Sequence, residues 1–380
     1  MTMKRWACLL GSLAMVAIAV TGCTGSDVRP RPAAAAPVER VGTGDSGGVG
    51  VEAGSFVAVS EHEQKLGLFE TSSGRVIRWI LTEPYQGMTV SATAVDHTGR
   101  IWATMSSGPA CTSDANGCGP KPNSCAGKVI TISPSTGAMT TVLAAPPGTL
   151  IADAQPSPDG RYLAFLEGRC DRSYFNQYIQ VQDLTTGASW TIGADLKPCH
   201  SLGSLSWTSD GKHLVAAYGR SLVTSAGAAA RYGAGTCLDP AVAKIAVVSA
   251  MAGQPRINGP AAAAQAGCEI EGVTATATGY AAIEGCRGAK GSYLSGAVRL
   301  LRYSTNLQRS VEASLGACVN GAEIRTDHTG TALLGTTYQF CNPPGKPGPK
   351  TVAFTDHDHS PATFYEQPNG GEDAFSAISW

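Results

Sequence analysis

Three short stretches carry groups able to bind or react: "LEGRC" from Leu166, "AYGRS" from Ala217 and "IEGCR" from Ile283. Each sets an arginine beside an acid or a tyrosine, giving Glu167, Arg169, Tyr218, Arg220, Glu284 and Arg287. Gathered in one place, carboxylates, guanidiniums and a phenol would hold a polar ligand or a partner's peptide; dispersed between neighbouring elements, they would only neutralise one another. The densest group of potential metal ligands is "TDHDHS", with Asp356, His357, Asp358 and His359. Successive residues of a strand point to opposite sides, so only alternate members could share an ion. A solvated turn is the expected reading, and neither a metal nor a cofactor is expected. His97 and His328 recur in "DHTG", where turn chemistry accounts for them. Serine hydrolysis would need a nucleophile, a base and an orienting group, and no G-x-S-x-G elbow is present.

Twelve cysteines accompany these groups. The chain begins with Lys4 and Arg5, then an apolar run shorter than the roughly 20 residues of a membrane span, then "VTGC" ending at Cys23. That ending resembles the lipobox of bacterial lipoproteins, which implies removal of residues 1–22, acylation of Cys23 and anchoring on the extracytoplasmic side of the cell membrane. Residues 23–50, rich in Pro, Ala and Gly, read as a flexible tether. With Cys8 lost and Cys23 acylated, ten cysteines remain in an exported chain, which points to as many as five disulfides. A net charge of −1 with 15% charged residues offers no basic field for nucleic acid.

What could position such residues is a repeated unit. Polar turns ending in glycine, each followed by an apolar strand, occur in "VDHTGRIWATM", "PSPDGRYLAFL", "WTSDGKHLVAA", "TATGYAAIEG" and "TDHTGTALLGT". The glycine supplies the positive φ of a tight hairpin. Downstream of each lies a second hairpin: "KVITISPSTGAMTTVL", "YIQVQDLTTGASWTI", "KIAVVSAMAGQPRI", "VRLLRYSTNLQRSVEA" and "KTVAFTDHDHSPATFYE". Two hairpins make a four-stranded antiparallel blade, with strands a, b, c and d. The first folded stretch, "GSFVAVSEHEQKLGLFETSSGRVIRWIL", supplies b, c and d but no a. The C-terminal "FSAISW" matches strand a of the fourth blade, "LGSLSW". Residues 51–380 are therefore predicted to form an all-β, six-bladed propeller closed by the C-terminal strand completing the first blade, which removes exposed sheet edges.

The stretch "PSPDGRYLAFLEG…YIQVQDLTTGASWTIG" resembles the WD-like propeller repeat of the TolB family, and "SWTSDGKHLVAAYG" is similar to the inner hairpin of that repeat. "HTGRIW" is also similar to six-bladed NHL and lyase-type propellers. The TolB resemblance implies the propeller fold and, by analogy, work with an envelope complex, although the chain shows no separate N-terminal domain of the kind that family often carries.

In such a blade the b–c loops and the loops leading into a lie on one face. All ten cysteines fall there: Cys111, Cys118, Cys125, Cys170, Cys237, Cys286 and Cys341 after a strand b, and Cys199, Cys268 and Cys318 before a strand a. Because the start of a and the end of b are neighbours, Cys268–Cys286 and Cys318–Cys341 are expected to pair, at a Cα separation of about 4.4–6.8 Å. Cys170–Cys199 is a third pairing, in competition with Cys199–Cys237, and Cys111, Cys118 and Cys125 share what remains. The same face would hold the six candidate binding residues, with Tyr174, Phe175, Tyr178, Tyr232 and Tyr338 in or beside its loops. The expectation is a monomeric, non-enzymatic binding module of the cell envelope, membrane-attached through its N-terminal lipid, whose partner is a protein, peptide or glycan. The alternative is a propeller enzyme, a lyase or glycan-acting hydrolase, using the mouth of the central channel.

Overall fold

The computed structural model describes residues 54–60, 65–81, 88–107, 111–114, 117–120, 125–169, 177–193, 200–220, 244–253, 257, 261–286, 297–317, 319–327, 329–339, 350–357, 360–367 and 375–380. The expected signal segment, the tether and Cys23 lie outside these residues. No helix among the described residues is long and apolar enough to cross a membrane.

The fold is an all-β propeller. Blade 1 has the order β26 (Phe375–Ser379), β1 (Ser55–Ser60), β2 (Lys65–Glu70), β3 (Val76–Leu81), so the last strand does complete the first sheet. Blade 2 comprises β4 (Thr89–Val95), β5 (Ile101–Ser107), β8 (Ala126–Ile132) and β9 (Met139–Ala144). Between its second and third strands a two-stranded ribbon is inserted, β6 (Cys111–Asp114) and β7 (Gly117–Pro120). Blade 3 comprises β10 (Thr149–Pro156), β11 (Tyr162–Arg169), β12 (Tyr178–Asp183) and β13 (Ser189–Ile192); blade 4 has β14 (His200–Trp207), β15 (His213–Arg220), β16 (Lys244–Ser249) and β17 (Ala261–Ala263). Blade 5 is β18 (Cys268–Thr276), β19 (Gly279–Cys286), β20 (Ala297–Ser304), β21 (Arg309–Ala317), and blade 6 is β22 (Val319–Thr326), β23 (Leu333–Gln339), β24 (Lys350–His357), β25 (Ser360–Gln367). The outer strand of blade 4 is the alanine run, not the "GQPRI" that the hairpin pattern suggested; Pro255 in that stretch has no N–H to donate to a ladder.

Burial explains why the strands read as apolar runs rather than strict alternations. All six residues of β1 are buried, because a middle strand is covered on both faces by neighbouring blades. In the outermost β3 the first three residues are exposed. The core is correspondingly divided among blade junctions: Ile179, Val181 and Ile192 of blade 3 pack on Leu202, Leu205 and Trp207 of blade 4. Phe56 and Phe69 of blade 1 meet Leu334 of blade 6 and Ile378 of the closing strand. Blades 2 and 3 approach so closely that Ala126 and Thr149 form a parallel bridge, joining the two blades into one eight-stranded sheet. Gly127 permits this, since a Cβ there would sit 2.4 Å from the Ile151 backbone nitrogen.

The a–b turns are held by their aspartates. Asp96 accepts from Thr98 N, Thr98 Oγ1, Arg100 N and Trp102 Nε1. Asp159, Asp210 and Asp327 repeat the pattern in blades 3, 4 and 6. Gly99, Gly160, Gly211 and Gly330 of these turns have φ between 64° and 77°, as the turn requires. The glycine of "TATG" has a different reason. Gly279 is the first residue of β19, paired to Thr276, and a Cβ there would lie 2.0 Å from the Tyr303 carbonyl oxygen.

Candidate functional site

Five cysteines fall on described backbone, and all five lie on the predicted face: Cys111 and Cys118 on the inserted ribbon, Cys125 just before β8, Cys268 opening β18 and Cys286 ending β19. Cys268 and Cys286 form a disulfide, as expected. The two residues are direct partners in the hairpin register, and their Cα separation of 3.9 Å lies below the expected range. Cys125 is buried and disulfide-bonded to a cysteine outside the described side chains. The expected Cys318–Cys341 and Cys170–Cys199 pairings, and Cys237, lie outside the described residues.

Of the six candidate binding residues, Glu167 lies near the end of β11, half-buried and paired in register with Ile151 and Tyr178. Tyr218 is half-buried at the corresponding position of β15, packed against the blade 3–blade 4 core, with Lys244 Nζ 6.0 Å from its ring centroid. Arg169 and Arg220 end β11 and β15, which places their backbones at the same face; their side chains, and Arg287, lie outside the description. Glu284 is not presented to solvent. It is 1% exposed, accepts from Gln265 N at 2.8 Å and has Arg299 Nη1 at 3.9 Å, so it braces blade 5 internally. The sequence could not distinguish this because alternation along a doubly covered strand no longer separates inside from outside. Among the described residues the close group of potential metal-ligating atoms is Cys268, Glu284 and Cys286, but its two sulfurs are bonded to each other.

The cysteine face also carries a cleft of about 110 Å³ between blades 2 and 3, walled by Leu150, Ile151 and Leu166 and rimmed by Ser91, Ser106 and Gln177. That is well below the ~300 Å³ at the lower end for small-molecule pockets. It suits ordered water or a single side chain of a larger partner. Gln177 is itself anchored, its Oε1 accepting from Leu202 N at 3.1 Å.

"TDHDHS" falls at the hairpin between β24 and β25, with His357 opposite Ser360, on the face away from the cysteines; Asp358 and His359 are outside the description. His97 is exposed in the blade 2 a–b turn, against the Gly160 turn of blade 3, and His328 is outside the description.

A feature that no sequence motif marks lies on the innermost strands. β4, β10, β14, β18, β22 and β26 each carry a register shift against a neighbouring strand. A bulge turns backbone N–H groups out of the ladder, and side chains of the preceding blade take them. Ala154 N donates to Thr104 Oγ1 at 2.9 Å, Leu205 N to Asp153 Oδ2 at 2.5 Å, and Val273 N to Ser204 Oγ at 2.9 Å. Ala377 N and Ile378 N both donate to Glu323, each at 2.9 Å. Asp153 has φ +44°, a conformation Asp tolerates better than most residues. Its Oδ1 accepts from Arg325 Nη2 at 2.7 Å, joining the innermost strand of blade 3 to that of blade 6. Burial pushes the Glu323 carboxyl up; Arg325 and the Ala377 and Ile378 N–H groups oppose this, and Asp153 adds to it. Arg325 Nε is buried and has no hydrogen-bond partner among the described residues. The signal that could have exposed this network is the pair of charges two apart in "AEIRT", where flanking residues are apolar or small.

No family model matches the sequence, and no curated protein matches it. Solved structures do resemble the fold. TolB from Acinetobacter baumannii superimposes with a TM-score of 0.51 at 13% identity, over 88% of this chain and 68% of that one. The β-propeller domain of the Trilobed protease from Pyrococcus furiosus gives 0.38 at 10% identity, covering 73% and 71%. Prolyl oligopeptidase B from Galerina marginata gives 0.46 at 12% identity, covering 83% of this chain and 40% of that one. The chain is a β-propeller with a TolB-like course. At such identities the likeness extends to the fold alone.

Proposed function

We propose that this protein is a lipid-anchored, non-enzymatic binding module of the cell envelope that holds a protein, peptide or glycan partner on its cysteine face. The observation that carries this reading is the division of labour between the two faces. The aspartates of the opposite face are spent on closing turns, whereas the cysteine face combines an inserted ribbon, disulfide-tied strand ends, the Glu167 and Tyr218 positions and a cleft of side-chain size. Loops tied to a rigid scaffold are where recognition concentrates, and a cross-link lowers the entropy lost when such a surface binds. The TolB likeness in fold is compatible with a partner-binding propeller. Acylation of Cys23 would keep the disc near the membrane and leave the tether to set its reach.

The test is chemical cross-linking in cells expressing the full chain, followed by affinity capture. Three proteins are compared: wild type, a cysteine-face variant (Glu167→Ala with Arg169→Ala, Arg220→Ala and Arg287→Ala), and a control, Lys212→Ala, on the opposite face. A specific partner captured by wild type and control but lost from the face variant supports the proposal. A partner retained by the face variant and lost from Lys212→Ala overturns it.

A further inference from the structure

The innermost strand of blade 6 carries two locks of different reach. Arg325 on β22 reaches Asp153 on β10, tying blade 6 to blade 3 without involving the closing strand. Glu323, two residues earlier on the same strand, takes both of its hydrogen bonds among the described residues from β26. Beyond these bonds β26 is held by the packing of Ala377 and Ile378 in the core and by a short ladder with β1. Its register with β1 has three pairs, interrupted by a shift, against six between β14 and β15 and eight between β18 and β19. Ala377 has φ +52°, disfavoured for alanine, and this turns the Ala377 and Ile378 N–H groups towards Glu323. On the other side the Thr93 hydroxyl donates to the Ala377 carbonyl. Ala377 and Ile378 are buried, so these polar groups have no water to fall back on, and a buried donor left unmade is costly.

We infer that ring closure is a separable conformational step governed by the Glu323 carboxylate, which secures the C-terminal strand while the Arg325–Asp153 bridge keeps the other blades assembled when that strand lets go. Glutamine at 323 has one acceptor oxygen for two N–H groups and turns an amide donor towards the second. Alanine has no acceptor at all. Either change therefore frees β26 selectively. The inference does not depend on the identity of any partner.

Hydrogen exchange followed by mass spectrometry on the full chain tests it. In wild type, the peptide covering 375–380 is expected to exchange at least about tenfold faster than peptides from β14 and β18, the equivalent strands of blades 4 and 5. Glu323→Gln should accelerate exchange in 375–380 by a further tenfold or more and leave β14 and β18 unchanged. Thr93→Val, which keeps the side-chain volume and removes the hydroxyl, should give a smaller acceleration confined to the same segment, and serves where Glu323 variants fail to fold. Equal protection of β26, β14 and β18 in wild type overturns the inference. So does loss of protection spread evenly over all blades in the variants.

Discussion

Replacing Asp153 with alanine removes the acceptor for three donors at once: Arg325 Nη2 at 2.7 Å, Gln155 Nε2 at 2.7 Å and Leu205 N at 2.5 Å. The two charged side chains are only 11% and 9% exposed, so solvent screening discounts the loss little. A buried charge stripped of its partner costs about 3–5 kcal/mol. The φ of +44° adds about 1 kcal/mol, because alanine tolerates it less well than aspartate. The expected destabilisation is therefore about 4–6 kcal/mol. Asp153→Asn isolates the charge, since asparagine accepts the same backbone conformation; the loss should fall to about 2–3 kcal/mol, in line with hydrogen bonds to charged groups. Arg325→Met supplies the second edge of a double-mutant cycle, and the pair should couple by about 1–3 kcal/mol. Urea unfolding followed by tryptophan fluorescence and circular dichroism reads wild type, the three single variants and the double variant. Destabilisation of Asp153→Ala below about 1 kcal/mol, or single changes that add within about 0.5 kcal/mol, would refute the view that this bridge holds blades 3 and 6 together.

Gly127→Ala should destabilise by about 1–3 kcal/mol or more, seen as a lower melting temperature, because the new methyl would meet the Ile151 backbone and force blades 2 and 3 apart. Opening the Cys268–Cys286 bridge, which closes a loop with a sequence separation of 18, should cost about 3 kcal/mol; Cys268→Ser with Cys286→Ser, melted beside wild type, measures it. Asp210 is held down to about 2: burial alone would raise it, but Thr208, Lys212 N and His213 more than offset that. Its contribution is present above the ordinary carboxylate range near pH 4 and fades as pH falls through about 2. Asp210→Asn should flatten that part of the stability–pH curve, by a small amount since the side chain is 47% exposed. Cys23→Ser should move the protein from the membrane fraction to the soluble extracytoplasmic fraction on ultracentrifugation; retention in the membrane would count against lipid anchoring.

Turn chemistry and strand runs were legible because they are local. The aspartate and glycine of "SPDG" must sit where a hairpin needs a side-chain acceptor and a positive φ, and the structure puts Asp159 and Gly160 there. The absence of a first strand in blade 1 and the likeness of "FSAISW" to "LGSLSW" foretold that β26 would pair with β1. The Cys268–Cys286 pairing followed from the hairpin register. Glu284 did not yield to the same reasoning, because which face of a doubly covered strand meets a cavity depends on blade twist and on neighbours far away in sequence.

The amino-acid sequence by itself determined the repeat, the strand order within each blade and the side of the disc on which the described cysteines lie, since all of these follow from contacts between residues close along the chain or from matching a missing strand to a spare one. Tertiary structure alone decided that Asp153 and Arg325, 172 residues apart, meet, that Glu323 holds the closing strand, and that Gly127 lets two blades merge. Those contacts depend on how far six twisted sheets rotate about a common axis and where each inner strand bulges, quantities that no short window of sequence encodes.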